Sequence, residues 1–353
     1  MMKAKFAFLL VVLVFSVAQN SAYSWTASGK GKNPSGGYKD SWDMNSTHAR
    51  LTEKSLSMLR NFEINSISTN LILSKFADVI AFSNAPDVDD TGLVGGVPTM
   101  MAHFNDPSTG KNWLGNSYPT AETEFIARIY DAFNFFGIEI LLNRPSTGER
   151  KYKLNFYQSA KESYDAASYN LGKALHFLQD MSMPFHAKNI IAYSQFYPVD
   201  HMAYEQNVEQ FDKNIFITDH YTKKLPKITG QFYADLLNVS SALNWLGYNK
   251  FYQVINMDVS RRDHASEILL KETTMAGADV LYVFSIYLQK IKLNSHLELL
   301  TSDTTICRKG YYLNTVTEFN LASYSKKIEC AEIEFIPFTS NELEKINAHF
   351  GRI

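Results

Sequence analysis

Leu51, Leu56, Leu59 and Phe62 recur three to five residues apart in "NSTHARLTEKSLSMLRNF", with polar and charged residues between them. That spacing lays one apolar stripe along an α-helix, and Thr47 is placed to cap its start, because a hydroxyl can satisfy the free amides of a first turn. The run "STNLILSKFADVIAFSN" reads as a second helix. Residues 84–119 are broken by Pro and Gly and read as one long loop, a length that points either to a functional segment or to a wrong assignment. Helical spacing resumes in "TAETEFIARIYDAFNFFGIEILL" and in "NFYQSAKESYDAASYNLGKALHFLQD", where Ala, Leu and aromatics recur at three and four. Pro184 is expected to end that helix, since proline disfavours helical geometry in the residue before it. Further helical segments are predicted over 200–212, 228–246 and 261–291. From about residue 295 the texture changes. "TTICRKGYYLNTVTEFNLASY" and "KKIECAEIEFIPF" are rich in Thr, Tyr, Ile and Phe with partial alternation, which predicts a small β-rich C-terminal appendix. The expected fold is mainly α, with a multi-helix domain over 25–294 and a small module of unknown role over 295–353.

The first residues follow a different pattern. Lys3 and Lys5 precede the 13-residue apolar run "FAFLLVVLVFSVA", which is too short as a helix to cross a bilayer core of ~30 Å. Small residues, Ala22 and Ser24, then stand where a peptidase would cut. Residues 1–24 read as a secretory signal peptide, cleaved between Ser24 and Trp25, so the mature chain is expected to be exported. No later segment reaches the 18 apolar residues of a membrane span, and residues 26–46, rich in Gly, Ser, Asn and Lys, read as an extended arm.

The chain of 353 residues is 45% apolar and 20% charged, ordinary for a globular protein with a sizeable core. Its formal charge is −2, and loss of Lys3 and Lys5 with the signal takes it to −4, so no broad nucleic-acid-binding surface is expected. Cys307 and Cys330 are the only cysteines. In an exported chain they read as a staple in the C-terminal module, closing a loop of about 24 residues for roughly 3 kcal/mol.

The chemistry concentrates in "LGKALHFLQDMSMPFHAKN". His176 and Asp180 are four apart and share one helical face; His186 follows just past the proline; His201 and Glu205 repeat the four-residue spacing. Imidazole and carboxylate in this density suit zinc. Five donors imply at least two ions and further ligands from elsewhere, with His48, His103 and the acids of "NAPDVDDTG", Asp87, Asp89 and Asp90, as candidates. His220, His264, His296 and His349 have no paired donor at metal spacing.

"HFLQDMSMPFHAKN" followed by "HMAYE", together with "AHFNDPSTGKNW" and "THARLT", resembles the zinc-dependent bacterial phospholipase C family, the alpha-toxin-like enzymes related to the fungal single-strand nucleases. The resemblance covers roughly residues 25–290. It implies three zinc ions: one on Asp87, His103 and His176 with a share of Asp180; one on His48, bridging Asp180 and the α-amine and carbonyl of Trp25; and one on His186, His201 and Glu205. Asp89 is the alternative loop ligand to Asp87. Three Zn²⁺ against three carboxylates leave roughly +3, which attracts a phosphodiester anion. The implied reaction is hydrolysis of the glycerol-side phosphodiester of a phospholipid by water activated on zinc, with Asp87 as ligand and proton acceptor. Glutamate rather than aspartate at 205, and the distance from Trp25 to His48, favour a phospholipase over a nuclease. The expected partner is a phospholipid or membrane surface, with no specific nucleic acid, and the chain is expected to be a monomer. A secreted nuclease or nucleotidase, and a non-catalytic zinc-binding protein, are the alternatives. The gap from Trp25 to His48 is long for the family. Gln179 stands where the family tends to have glycine, which is expected to affect helix packing more than metal binding. The tail is too short to be the family's lipid-binding domain. Tyr118, Phe125 and Tyr130 are candidates for contact with a cationic headgroup.

Overall fold

The computed structural model describes residues 46–62, 66–89, 101–115, 119–142, 156–159, 162–164, 166–190, 201–212, 225–256, 258–299, 312–313 and 327–350. The signal segment, the arm with Trp25, Tyr118 and Cys307 lie outside them.

The first helix, α1 (Thr47–Asn61), is capped by Ser46 rather than Thr47: the Ser46 Oγ accepts from Ala49 N at 3.1 Å. Its apolar stripe is buried as the spacing predicts. The next run divides into α2 (Ile67–Ser74) and α3 (Phe76–Phe82), because Lys75 between them sits at φ −100°, ψ 15°, outside the helical well. The stretch expected to be one loop contains α4 (Ala85–Asp89), and residues 106–115 fold into turns held by the bridges Asp106–Lys111 and Asn112–Gly115. Then come α5 (Ala121–Leu142), the antiparallel pair β1 (Phe156–Ser159) and β2 (Glu162–Tyr164), and α6 (Ala166–Ser182). The hairpin corrects the expected helix start: over so few residues a Phe/Tyr-rich run fits a strand as well as a helix, and its side chains favour the strand. α6 ends at Ser182, as the proline predicts, with Met183 extended at φ −72°, ψ 117°, and Pro184 itself opens α7 (Pro184–Ala187), where its missing N–H costs nothing. Three more helices follow, α8 (His201–Asp212), α9 (Phe232–Val254) and α10 (Val259–Tyr287).

Phe125, Phe133 and Phe136 of α5, Leu171, Leu175 and Leu178 of α6, Leu236 of α9 and Phe284 of α10 belong to one core. Every residue of α10 from Ala276 to Tyr287 is buried, which makes its C-terminal half the central post of the bundle. A second cluster, with Leu51, Phe185, Tyr204, Phe251 and Leu269, lies under α7 and α8. Two glycines let helices touch backbone to backbone. A Cβ on Gly172 of α6 would stand 2.7 Å from the Val79 oxygen and the Phe82 carbonyl carbon of α3. A Cβ on Gly247 of α9 would stand 2.7 Å from the Ser182 oxygen at the end of α6.

Beyond α10 the chain forms β3 (Ile291–Leu299), β4 (Tyr312–Leu313) and β5 (Lys327–Phe335), an antiparallel sheet in the order β3-β5-β4 with Ile291 opposite Phe335 and Leu299 opposite Lys327. A final helix, α11 (Ser340–Phe350), was not legible among the strand-like residues. Phe335 stacks on Phe133 at 4.8 Å, and Ile333, Phe338, Leu343 and Ile346 pack on the main core. Asn347 bonds both backbone groups of Ile228 at 3.0 Å, and Lys290 pairs with Glu342 at 2.9 Å. Among the described residues no helix is long and apolar enough to cross a membrane.

Candidate metal centre

The Gly172 contact brings the end of α3 against α6, so the Ser83 carbonyl lies 2.7 Å from Nδ1 of His176, one turn further along. A carbonyl can only accept, so Nδ1 carries the hydrogen and Nε2 turns its lone pair into the cluster. Around that Nε2 stand Asp180 Oδ2 at 3.2 Å, His103 Nδ1 at 3.2 Å and Asp87 Oδ1 at 3.4 Å.

Asp180 is the hub. Its Oδ2 also meets His103 Nδ1 at 2.7 Å, while Oδ1 faces His186 Nδ1 at 3.5 Å and His48 Nε2 at 3.8 Å. Burial alone would raise its pKa, but His176 and His103 beside it hold the carboxyl well below the usual carboxylate range. It is an anion wherever the fold persists near neutral pH.

The other donors arrive from four helices and one turn. His48, two residues after the cap of α1, stacks on His176 with ring centres 3.9 Å apart. Ser46 holds that helix start by donating to the Asn84 side chain just before α4. Asp87 lies on α4, wholly buried, with Oδ2 3.9 Å from His48 Nε2. His103 sits in a turn closed by Phe104 N donating to Met101 O at 3.2 Å, and Asn105 N ties that turn to the His186 carbonyl of α7. His201 opens α8 and meets Glu205 Oε1 at 2.7 Å, its ring flat on Phe185 with 5.0 Å between centres. His186 and His201 meet edge to face at 4.9 Å. Burial, and then the neighbouring His176, push His48 well below the ordinary imidazole pKa; burial also lowers His186, against the pull of Asp180. Both rings are therefore neutral and able to offer lone pairs.

Three groups of donor atoms result, each within 4.8 Å of one another: His48, His176 and Asp180; Asp87, His103 and His176; His186, His201 and Glu205. Ligands about a tetrahedral ion with bonds of ~2.0–2.1 Å lie ~3.3 Å apart, and the spacings around His176 Nε2 match that. Nδ1 of His186 is buried and lies 3.5 Å from Asp180 Oδ1, close enough for the two atoms to share one cation. Imidazole and carboxylate without thiolate is a donor set suited to zinc.

The model of the family described as zinc-dependent phospholipase C matches residues 47–247, more than half of the chain. The chain belongs to that family. This chain is 30% identical to a phospholipase C of Paraclostridium bifermentans, over 51% of its own length and 42% of that protein. It is 25% identical to a phospholipase C of Clostridium perfringens strain 13, over 69% of this chain and 59% of that one. It spans about half the length of the curated relatives it matches. Among solved structures, the alpha toxin from Clostridium absonum shares the fold, with a TM-score of 0.51 and 16% identity over 84% of this chain and 83% of that one.

Eight of the nine residues that the resemblance implies as ligands, namely His48, Asp87, His103, His176, Asp180, His186, His201 and Glu205, lie together in these three groups. The ninth, Trp25, is outside the described residues. Of the headgroup candidates, Phe125 is fully buried in the main core and faces no ligand, which corrects that expectation; Tyr130 is half-buried beside Tyr233. Gln179 also departs from expectation. Its carboxamide lies against His48 Nδ1 rather than only filling a helix contact. The Ser83 carbonyl, the contact of Gln179 with His48, Thr52 and the Phe185 ring were not identified from the sequence. A polar residue beside Asp180, and a threonine one turn after His48, were the available signals.

Proposed function

We propose that the chain is a secreted zinc metallophospholipase C that hydrolyses the glycerol-side phosphodiester of phosphatidylcholine-like lipids to diacylglycerol and a phosphorylated headgroup. The observation that carries this reading is the convergence of three donor groups about one carboxylate, Asp180, in a member of this family. In it, His48 and Asp180, with the α-amine and carbonyl of Trp25, would hold one ion; Asp87, His103 and His176 with Asp180 would hold a second; His186, His201 and Glu205 would hold the third. Zinc bound there supplies Lewis acidity, making water nucleophilic near neutral pH and balancing charge on phosphate oxygens.

The side chains divide the remaining work. Asp180 offers its two oxygens to opposite sides, Oδ2 toward His103 and His176, Oδ1 toward His48 and His186, and so fixes the spacing of the whole centre. Asp87 likewise presents Oδ1 to His176 and Oδ2 to His48, so one oxygen can ligate while the other takes a proton from the attacking water. The Ser83 carbonyl keeps His176 in the ligating tautomer. Three carboxylates are too few to neutralise the ions they serve, so a phosphodiester anion is drawn in.

The test is to assay the mature protein on a panel of phospholipids and on single-stranded DNA, with zinc content measured in parallel. Chelator-reversible release of phosphocholine is expected. Nucleotide release without phosphocholine would overturn the substrate, and stoichiometric zinc with no turnover on either would overturn the enzyme. One extra residue before Trp25 moves the amine from the centre and is expected to abolish activity with loss of zinc.

A further inference from the structure

We infer that Gln179, wedged between His48 and Thr52 of α1, is a positioning residue that sets which nitrogen of His48 is free to bind a cation. The inference rests on the zinc reading above and concerns a side chain outside the ligand set.

Gln179 is buried on α6, between the ligand candidates His176 and Asp180. Its Oε1 lies 2.5 Å from His48 Nδ1, and its Nε2 donates to Thr52 Oγ1 at 2.9 Å. His48 and Thr52 are one turn apart on α1, so the single carboxamide bridges two consecutive positions of one helical face. A carboxamide has one accepting end and one donating end, whereas the Thr52 hydroxyl can serve as either. In the orientation described, Oε1 requires a hydrogen on Nδ1 of His48. Nε2 then keeps its lone pair, and that is the nitrogen facing Asp180 Oδ1 at 3.8 Å and Asp87 Oδ2 at 3.9 Å. Turned over, the amide would aim N–H at Nδ1, drive the hydrogen to Nε2 and leave no lone pair for an ion.

The neighbouring ring solves the same problem differently. His176 gives its Nδ1 hydrogen to the backbone carbonyl of Ser83, which no substitution removes. His48 depends on a side chain, and that dependence can be tested. Supporting partners of metal-bound histidine are worth about 10–100-fold in metal affinity.

The experiment titrates the zinc-loaded mature protein with a competing chelator and follows zinc per chain for wild type, Gln179→Leu and Gln179→Glu. Leucine fills the space with no acceptor; glutamate restores one at the same reach. Wild type is expected to hold three ions. Gln179→Leu should release one of them at about 10–100-fold weaker chelator competition while retaining the others, and Gln179→Glu should hold all three. Histidine-selective ¹⁵N spectra of the loaded wild-type protein, which need no variant to fold, should place the hydrogen of His48 on Nδ1. Gln179→Leu titrating like wild type, or a hydrogen found on Nε2, would overturn the inference and leave the zinc reading standing. A wild-type protein that binds no zinc would sink both.

Discussion

His176 and Asp180 lie one turn apart on α6, and His201 and Glu205 lie one turn apart on α8. The first pair sits at the crossing of α1, α3, α4 and the His103 turn, and its carboxylate faces four histidines at 2.7 to 3.8 Å. The second pair closes on itself at 2.7 Å, with its imidazole flat on Phe185 and its edge on His186. The same sequence spacing thus makes a hub in one place and a peripheral site in the other. What distinguishes them is how many elements cross the donor face. Gly172 admits α3 to the α6 face, whereas α8 rests on the smaller cluster around Phe185 and Phe251.

Breaking the hub should therefore cost far more than breaking the periphery. Asp180→Asn keeps the volume and loses the charge that several rings share. It is expected to empty at least two ion sites and to lower phosphodiesterase activity by about 10³-fold or more, read by metal analysis beside turnover. Glu205→Gln should come second, releasing one ion, sparing the other two and costing about 10²-fold. A Glu205→Gln protein stripped of all its zinc, or an Asp180→Asn protein short of only one ion, would show that the two pairs are equivalent after all.

That asymmetry marks the limit of what could be read along the chain. The i, i+4 spacing placed each pair on a helix face, and the apolar stripe of α1 predicted its burial, because periodicity is a local property. The Asp87 position was legible only through resemblance, since "NAPDVDDTG" looks like a solvated turn; α4 buries it because Ser46 and Asn84 tie that segment to α1. The Ser83 carbonyl and the Gln179 bridge were not legible, as both depend on contacts between segments roughly a hundred residues apart. The hairpin before α6 and the helix α11 were missed for a different reason. Both are short, and tertiary contacts such as Asn347 on Ile228 decide between strand, helix and coil where a local pattern is weak.

Acid offers a milder probe, since each region contains one histidine with a lowered pKa, His48 at the hub and His186 at the bridge to the periphery. In the zinc-free protein both stay neutral while the unfolded chain takes up protons near the ordinary imidazole value of about 6.5. Between the folded and unfolded values the unfolded state binds more protons, so stability is complete above about pH 6.5 and falls as the pH drops below it. Each histidine contributes a slope of about 1.4 kcal/mol per pH unit in that window. The depressed Asp180 adds nothing there, because its contribution is lost only in stronger acid, below the ordinary aspartate value of about 3.9. Urea unfolding at pH 7.5 and 5.5 measures the slope. His48→Asn should lower it, and a slope unchanged by that substitution would remove His48 from the account.

The smallest expected effect tests whether ions, rather than packing alone, hold the hub together. Ser46 caps α1 two residues before His48 and donates to Asn84, so it anchors a ligand without touching the cluster. Ser46→Ala should cost about 1 kcal/mol in the zinc-free protein, a fall in Tm of about 2–4 °C. With zinc bound, His48 is tethered to Asp180 on α6, and the start of α1 cannot fray without breaking that link. The same substitution should then lower Tm by much less. Equal falls in both states would mean that the ion bears none of the load at the start of α1, and that the cap and the apolar stripe of Leu51, Leu56 and Leu59 position His48 by themselves.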